Sequence, residues 1–116
     1  MKVRVLLSFL ALVGLCLAQQ LDTGLLVGTV TDATGAVIPG ANVTFIHKET
    51  GTTSVAQANA LGNFRSKPLR IGTYTVKVET PGFKTYTGTG INLSIGDVRD
   101  LKVALQIGEV TEVVQV

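Results

Sequence analysis

Apolar and polar residues alternate along most of the chain after residue 24, with the period of two that is typical of β-strands buried on one face. The clearest stretch is 73–80, where Tyr74, Val76 and Val78 alternate with polar residues. This stretch is predicted to have one face against the core and one in water. The same alternation predicts strands at 25–32, 41–48, 52–58, 63–66 and 84–87, at 91–95, and at 101–107, where Ile107 continues in phase.

Turn-forming residues separate these predicted strands. Asp can accept hydrogen bonds from the backbone that follows it, Pro fixes φ, and Gly tolerates positive φ. Turn signals recur about every 8–12 residues, glycines at 88–90 predict a further break, and no helical period follows residue 18. The sequence therefore predicts an all-β fold of the sandwich or barrel type. The predicted turn residues are Asp32, Gly35, Pro39, Gly40, Gly62, Gly72, Pro81 and Gly82.

The first 18 residues differ in kind from the rest of the chain. Two basic residues precede an apolar run that ends in small side chains, which is typical of a helical secretory signal peptide. Cleavage is predicted between Ala18 and Gln19. A membrane anchor is the alternative, but the apolar run is shorter than the roughly 20 residues of a spanning helix. Lipidation of Cys16 is disfavoured because the bulky Leu15 precedes it.

The predicted organisation is therefore a signal peptide at 1–18, a polar lead-in at 19–24 and a β-sandwich at 25–107. Residues 108–116 are predicted to form a C-terminal strand or a linker toward a downstream domain that the sequence lacks. Cleavage would leave a chain without cysteine, hence without disulfides. It would also remove two of the 10 basic residues, so that 8 basic residues balance 8 acidic ones. This balance gives no electrostatic basis for binding nucleic acid.

Residues suited to catalysis are few. His47 is the one histidine, and its place at the end of a strand predicts a side chain that closes a partly buried face rather than a general base. Two acidic residues at 97 and 100 could suggest a calcium loop, but too few oxygen ligands accompany them. The sequence therefore predicts no catalytic residue, no metal site and no cofactor.

Lys84 and Tyr86 are the candidate contact residues, because they lie on a predicted edge strand that could pair with another domain. A solvated edge strand is the alternative interpretation. Tyr86 is also the aromatic ring predicted to be exposed, since Tyr74 falls on the core face. A single ring makes a poor platform for a sugar.

Four motifs, in this order and spacing, resemble carboxypeptidase regulatory-like domains, whose fold is a transthyretin-like, seven-stranded Greek-key sandwich. The match extends over residues 25–105, and it departs from the family pattern at Ile71, where a proline is common. The motifs are GTVTDATGAVIPGANV at 28–43, NALGNF at 59–64, LRIGTYTV at 69–76 and ETPGF at 79–83.

The final stretch, 101–116, is similar to the segment that joins such a domain to the plug and barrel of bacterial TonB-dependent outer-membrane receptors. The resemblance implies an exported domain in the periplasm or on the periplasmic side of the outer membrane, with secretion as an alternative. No plug or barrel follows Val116 in the sequence, so we expect either a fragment of a receptor or a free-standing exported domain, with membrane contact only through an absent barrel.

The resemblance also implies a function. We expect a non-catalytic structural or interaction module, with a protein partner or its own missing plug and barrel. A secreted carbohydrate-binding-like domain with a glycan ligand is the alternative. An enzyme dependent on His47 is the third and weakest hypothesis.

Overall fold

The computed structural model describes residues 22–108. The predicted signal peptide, its cleavage site at Ala18 and Gln19, and the segment 109–116 lie outside the described residues. Within 22–108 there is no helix, and accordingly none that could cross a membrane. Eight strands are present: β1 (Thr23–Thr31), β2 (Asn42–His47), β3 (Thr53–Gln57), β4 (Asn63–Arg65), β5 (Leu69–Arg70), β6 (Gly72–Glu79), β7 (Tyr86–Leu93) and β8 (Val98–Ala104).

The strands form two four-stranded sheets that pack face to face. In the first sheet β1 is central: β4 and the two-residue β5 pair with successive stretches of one side, and β8 pairs with the other. The β1–β8 pair is parallel over seven residue pairs, from Leu25↔Val98 to Thr31↔Ala104. The second sheet has the order β3-β2-β6-β7 and is antiparallel throughout. The predicted all-β sandwich is confirmed, with β4 and β5 sharing one strand position.

The core lies between the sheets and is built by the predicted alternation. Along β1 and β2 every second residue is buried, so each strand contributes one apolar row. The rings of Phe45 and Phe64 approach from opposite sheets, with centroids 6.1 Å apart. The buried apolar residues are Leu26, Val30, Ile38, Ala41, Val43, Phe45, Ala58, Phe64, Leu69, Tyr74, Val76, Val78, Ile91, Leu93, Val103 and Leu105.

Several element boundaries differ from the prediction. β1 begins at Thr23, inside the predicted lead-in, and Gly72 is the first residue of β6 rather than a turn residue. The predicted break at 88–90 is wrong: β7 continues through it as a β-bulge, in which Thr89 and Gly90 lie opposite a single residue of β6. Gly90 has φ of 69°, the left-handed conformation that glycine adopts at such a bulge.

The predicted C-terminal strand is also displaced. β8 begins at Val98 and ends at Ala104, and Ile107 is 76% exposed instead of facing the core. The cause is the end of β1 at Thr31, beyond which β8 has no neighbour in its own sheet. Residues 106–108 then pair with 82–84, where Lys84 N–H donates to the Gln106 carbonyl.

Gly28 gives close contact between β1 and the strands on both sides of it. A methyl group added at Gly28 would overlap with the Leu101 carbonyl oxygen of β8 and lie 2.5 Å from Cζ of Phe64 in β4. The Leu101 carbonyl belongs to the β1–β8 ladder, so it cannot move away without disturbing that pairing. The strand packing therefore requires glycine here.

We expect Gly28→Ala to lower the free energy of unfolding by about 1–3 kcal/mol, because the methyl group overpacks a core that has no room for it. Urea unfolding followed by circular dichroism would measure the change. Lys102→Ala is the matched control, since Lys102 is an exposed neighbour of Leu101 and should shift stability by less than about 0.5 kcal/mol. Equal stability of Gly28→Ala and the natural chain would contradict the packing described here.

Candidate functional site

An open depression lies at the end of the sandwich where β1 begins. Three connections meet there: the β2–β3 turn, the β5–β6 junction and the end of β7. Its floor is apolar, and its polar lining comes from short side chains and two charged ones. The lining includes His47, Glu49, Arg70, Ile71, Asn92, Ser94 and Ile95.

His47 is buried at the base of this depression, 5% exposed, and both of its ring nitrogens are occupied. Nε2 lies 3.0 Å from the Ile71 carbonyl oxygen, and Nδ1 lies 3.3 Å from the backbone nitrogen and 2.9 Å from Oγ1 of Thr50. The neutral ring protonated at Nε2 fits these contacts, because Nδ1 then accepts from Thr50 and Nε2–H donates to Ile71. Both ring nitrogens are therefore hydrogen-bonded within the fold, and the ring is almost fully buried. These contacts give His47 a structural role at the end of its strand, as the sequence predicts.

The ring of His47 also packs edge-on against Tyr74, with centroids 5.1 Å apart and an interplanar angle of 79°. The Tyr74 hydroxyl donates a 2.6 Å hydrogen bond to the Arg70 carbonyl. Gly72 makes this packing feasible, since a Cβ there would overlap with His47 Nε2 and its φ is 146°. The histidine thus fixes the β2–β3 turn against the start of β6.

Glu49 is the acidic residue nearest to the histidine, with Oε1 3.6 Å from His47 Nε2. Its carboxylate accepts a 3.3 Å hydrogen bond from the Thr73 backbone N–H, and this bond is the main reason that the pKa of Glu49 lies below its usual value. A carboxylate kept ionised in this way is not suited to donate a proton. Within residues 22–108, no three His, Cys, Asp or Glu side chains come together in a group that could hold a metal ion.

Asp32 lies at the opposite end of the sandwich, in the turn after β1. One oxygen, Oδ1, accepts hydrogen bonds from the Thr34 backbone nitrogen at 2.8 Å, the Thr34 hydroxyl at 2.6 Å and the Ala36 nitrogen at 3.0 Å. The two bonds from Thr34 hold the pKa of Asp32 below its usual value. Asp32 is thus engaged in its own turn.

Apart from Gly72, the other predicted turn residues lie in the connections between strands. Four of them, Gly35, Gly40, Gly62 and Gly82, have positive φ between 79° and 93°. Pro39 precedes the start of β2, and Pro81 precedes Gly82 in the β6–β7 connection. None of these residues lines the depression around His47.

The predicted contact residues Lys84 and Tyr86 are placed differently from the expectation. Tyr86 is only partly exposed and packs against the core, so its predicted exposure is wrong. It lies opposite Val78, which turns its ring toward the inside of the second sheet. Lys84 lies before β7, and its backbone N–H is already used by the Gln106 carbonyl. The edge here is bulged and partly occupied by residues 106–108.

Sequence reasoning missed most of the contacts in the depression. Ser94 and Asp97 form a turn in which the Asp97 carboxylate accepts a 2.9 Å hydrogen bond from the Ser94 N–H, and Ile95 is 56% exposed beside it. The side chain of Arg99 reaches across the sandwich to the Asn92 carbonyl at 3.0 Å. No spacing in the sequence encodes the contact of Arg99 with Asn92, since β8 and β7 belong to different sheets.

The profile of the carboxypeptidase regulatory-like domain matches residues 26–106. The chain belongs to this family. The matched range of the regulatory-like domain covers nearly all of the described strands, in agreement with the resemblance seen in the sequence. No curated protein matches the chain.

Solved structures share the fold of this regulatory-like domain. Catechol 1,2-dioxygenase from Acinetobacter radioresistens superposes with a TM-score of 0.62 at 12% identity, over 79% of this chain and 54% of the enzyme chain. A chain of a type II cohesin–X-dockerin complex from Acetivibrio cellulolyticus gives a TM-score of 0.57 at 25% identity, over 73% and 58%. A Bacteroides uniformis protein described as carbohydrate binding gives 0.58 at 18% identity, over 71% and 40%.

The chain therefore spans about half the length of the dioxygenase chains it matches. At 12% identity this likeness shows the fold alone. The same architecture occurs in an enzyme, in a complex between proteins and in a protein described as carbohydrate binding, so the side chains must decide what this domain does.

We expect His47→Ala to lower the free energy of unfolding by about 2–4 kcal/mol, because it leaves a buried cavity beside Tyr74 and buried polar groups without partners. Urea unfolding at neutral pH would measure it. Ser94→Ala is the matched control from the same depression: its side chain is exposed, so its unfolding midpoint should stay close to that of the natural chain. Unchanged stability of His47→Ala would contradict the structural role.

We also expect the folded chain to lose stability in acid, and we expect this loss to be smaller in Asp32→Asn. The pKa of Asp32 is lower in the folded chain than its ordinary value of 3.8, so its stabilising effect is complete above that value and is lost as the pH falls toward the folded pKa. Thermal unfolding at about pH 6 and about pH 3 should show a smaller drop in Tm for Asp32→Asn. Asp100→Asn, which changes an exposed carboxylate of β8, is the control. Its Tm should drop as much as that of the natural chain.

Proposed function

We propose that this regulatory-like domain is a non-catalytic, exported module of the bacterial cell envelope with a structural or interaction role. The observation that supports the proposal is the match of residues 26–106 to a family described as regulatory-like. The side chains are consistent with it: His47 has both nitrogens engaged, Asp32 is engaged in its own turn, and Glu49 is held ionised by the backbone.

The direction of the strands also supports a connecting role. β1 and β8 are parallel neighbours, so the chain arrives at one end of the sandwich and departs from the other. A domain inserted between two segments can in this way hold them apart along its length. The sequence at 101–116 resembles the connection to the plug of a TonB-dependent receptor, which suggests an N-terminal extension on the periplasmic side of the outer membrane.

Interaction with a protein is supported by the likeness to a chain of the cohesin–X-dockerin complex. A glycan ligand is the second candidate, because the Bacteroides uniformis neighbour is described as carbohydrate binding. The half-buried position of Tyr86 weakens this candidate, since a sugar platform needs an exposed ring. Saturable binding on a glycan array, lost when residues of the depression are changed, would favour the glycan over a protein.

Export can be tested directly. We expect the full chain, produced in a Gram-negative host, to be found in the periplasmic fraction with Gln19 as its first residue, as measured by mass spectrometry of the intact protein. Ala18→Leu should block cleavage, because signal peptidase requires a small residue before the cut. An unprocessed chain in the cytoplasm, or a lipid attached to Cys16, would contradict the proposed processing.

A further inference from the structure

β3 differs from the other sheet edges of the described residues. Free edges invite pairing with other chains, and proteins commonly protect them with charge, proline or bulges. The other three edges carry such features: a bulge at Gly90 in β7, three charged residues in β8, and three basic residues with a proline along the β4–β5 side. β3 has none of them, and no residue from 50 to 64 is charged.

Alternate residues of β3 present their backbone N–H and C=O groups on the side that faces away from β2. The His47 N–H donates to the Thr52 carbonyl, which shows that even-numbered residues on this side turn their backbone groups toward β2. Alternate residues of a strand point in opposite directions, so the N–H and C=O groups of Thr53, Val55 and Gln57 point away from the sheet. Within 22–108 no strand pairs with that side of β3.

The central side chain of this edge is apolar and exposed. Val55 is 74% exposed and lies opposite Thr44 on the outer face of the second sheet. Its neighbours on the same face of β3 are polar and uncharged. A β-branched residue in this position gains by packing against another across a strand pair.

We propose that β3 is an interaction edge that pairs, antiparallel, with β3 of a second copy of this chain about a two-fold axis at Val55. Val55 then lies opposite Val55 of the other copy, and Thr53 lies opposite Gln57. The outward groups of both copies combine into about six inter-strand hydrogen bonds. The β3-β2-β6-β7 sheet of one copy then joins the same sheet of the other copy into one continuous sheet.

A second copy fits this edge because the strand is its own complement. Reversing β3 opposes no like charges and brings the two exposed valines together. A charged partner strand would find no opposite charge between residues 50 and 64. The pairing of five-residue strands buries less than the roughly 1,200 Å² of a standard interface, so the dimer is weak and its population depends on concentration. This inference is independent of the export and the envelope role proposed above.

Sedimentation of the purified full chain from about 10 μM to about 1 mM tests the proposal. We expect a reversible monomer–dimer equilibrium whose dissociation constant rises about tenfold or more in Val55→Lys, which sets two ammonium groups against each other. Val98→Lys is the matched control: Val98 is 64% exposed in β8 and its substitution should leave the equilibrium unchanged. A monomer at every concentration, or a dimer equally sensitive to both substitutions, would overturn the proposal.

Cross-linking gives a second measurement that does not depend on affinity. Antiparallel pairing at Val55 brings the two Cα atoms to about 5.5 Å, within the range that a disulfide spans. In a Cys16→Ser background, which removes the natural thiol, Val55→Cys should form a covalent dimer under mild oxidation and Val98→Cys should not. Cross-linking of Val98→Cys alone would show that the copies meet at β8 and would refute the β3 edge.

Discussion

The pairing of β1 with neighbours on both sides is the constraint on which this sandwich depends. Among the strands of residues 22–108, β1 alone pairs with β4, β5 and β8, and its inward residues Leu26 and Val30 are fully buried. Close approach of these neighbours is possible because Gly28 has no side chain. The second sheet then covers the apolar row of β1, and the connections follow from where its strands begin and end.

Polar side chains in this domain are used mainly to fix the connections. His47 binds the backbone at the ends of β2 and β6, and Asp32 binds the backbone after β1. In the β3–β4 turn, Asn59 accepts hydrogen bonds from the N–H groups of Leu61 and Asn63 at 2.9 and 3.0 Å. These hydrogen bonds hold the connections in place at both ends of the sandwich.

The sequence was sufficient to predict which face of each strand lies in the core, but not which strands pair with each other. Alternation placed Phe45, Tyr74 and Val103 in the core, because the two faces of a strand differ in polarity. The parallel direction of β8 against β1 leaves no mark in either strand's pattern, and the bulge at Gly90 has the same composition as a turn. His47 was assigned from its phase, but its partner is the carbonyl of Ile71, 24 residues away, and backbone atoms carry no sequence signal.

The parallel β1–β8 pair has a mechanical consequence. The segments that flank the sandwich leave from opposite ends of two adjacent strands, so a pull between them drives β1 and β8 past each other lengthwise. In that shear geometry the load is shared by the hydrogen bonds of all seven residue pairs together, whereas strands pulled from the same end would open one bond at a time. A tether built on this domain resists extension until the whole ladder gives way.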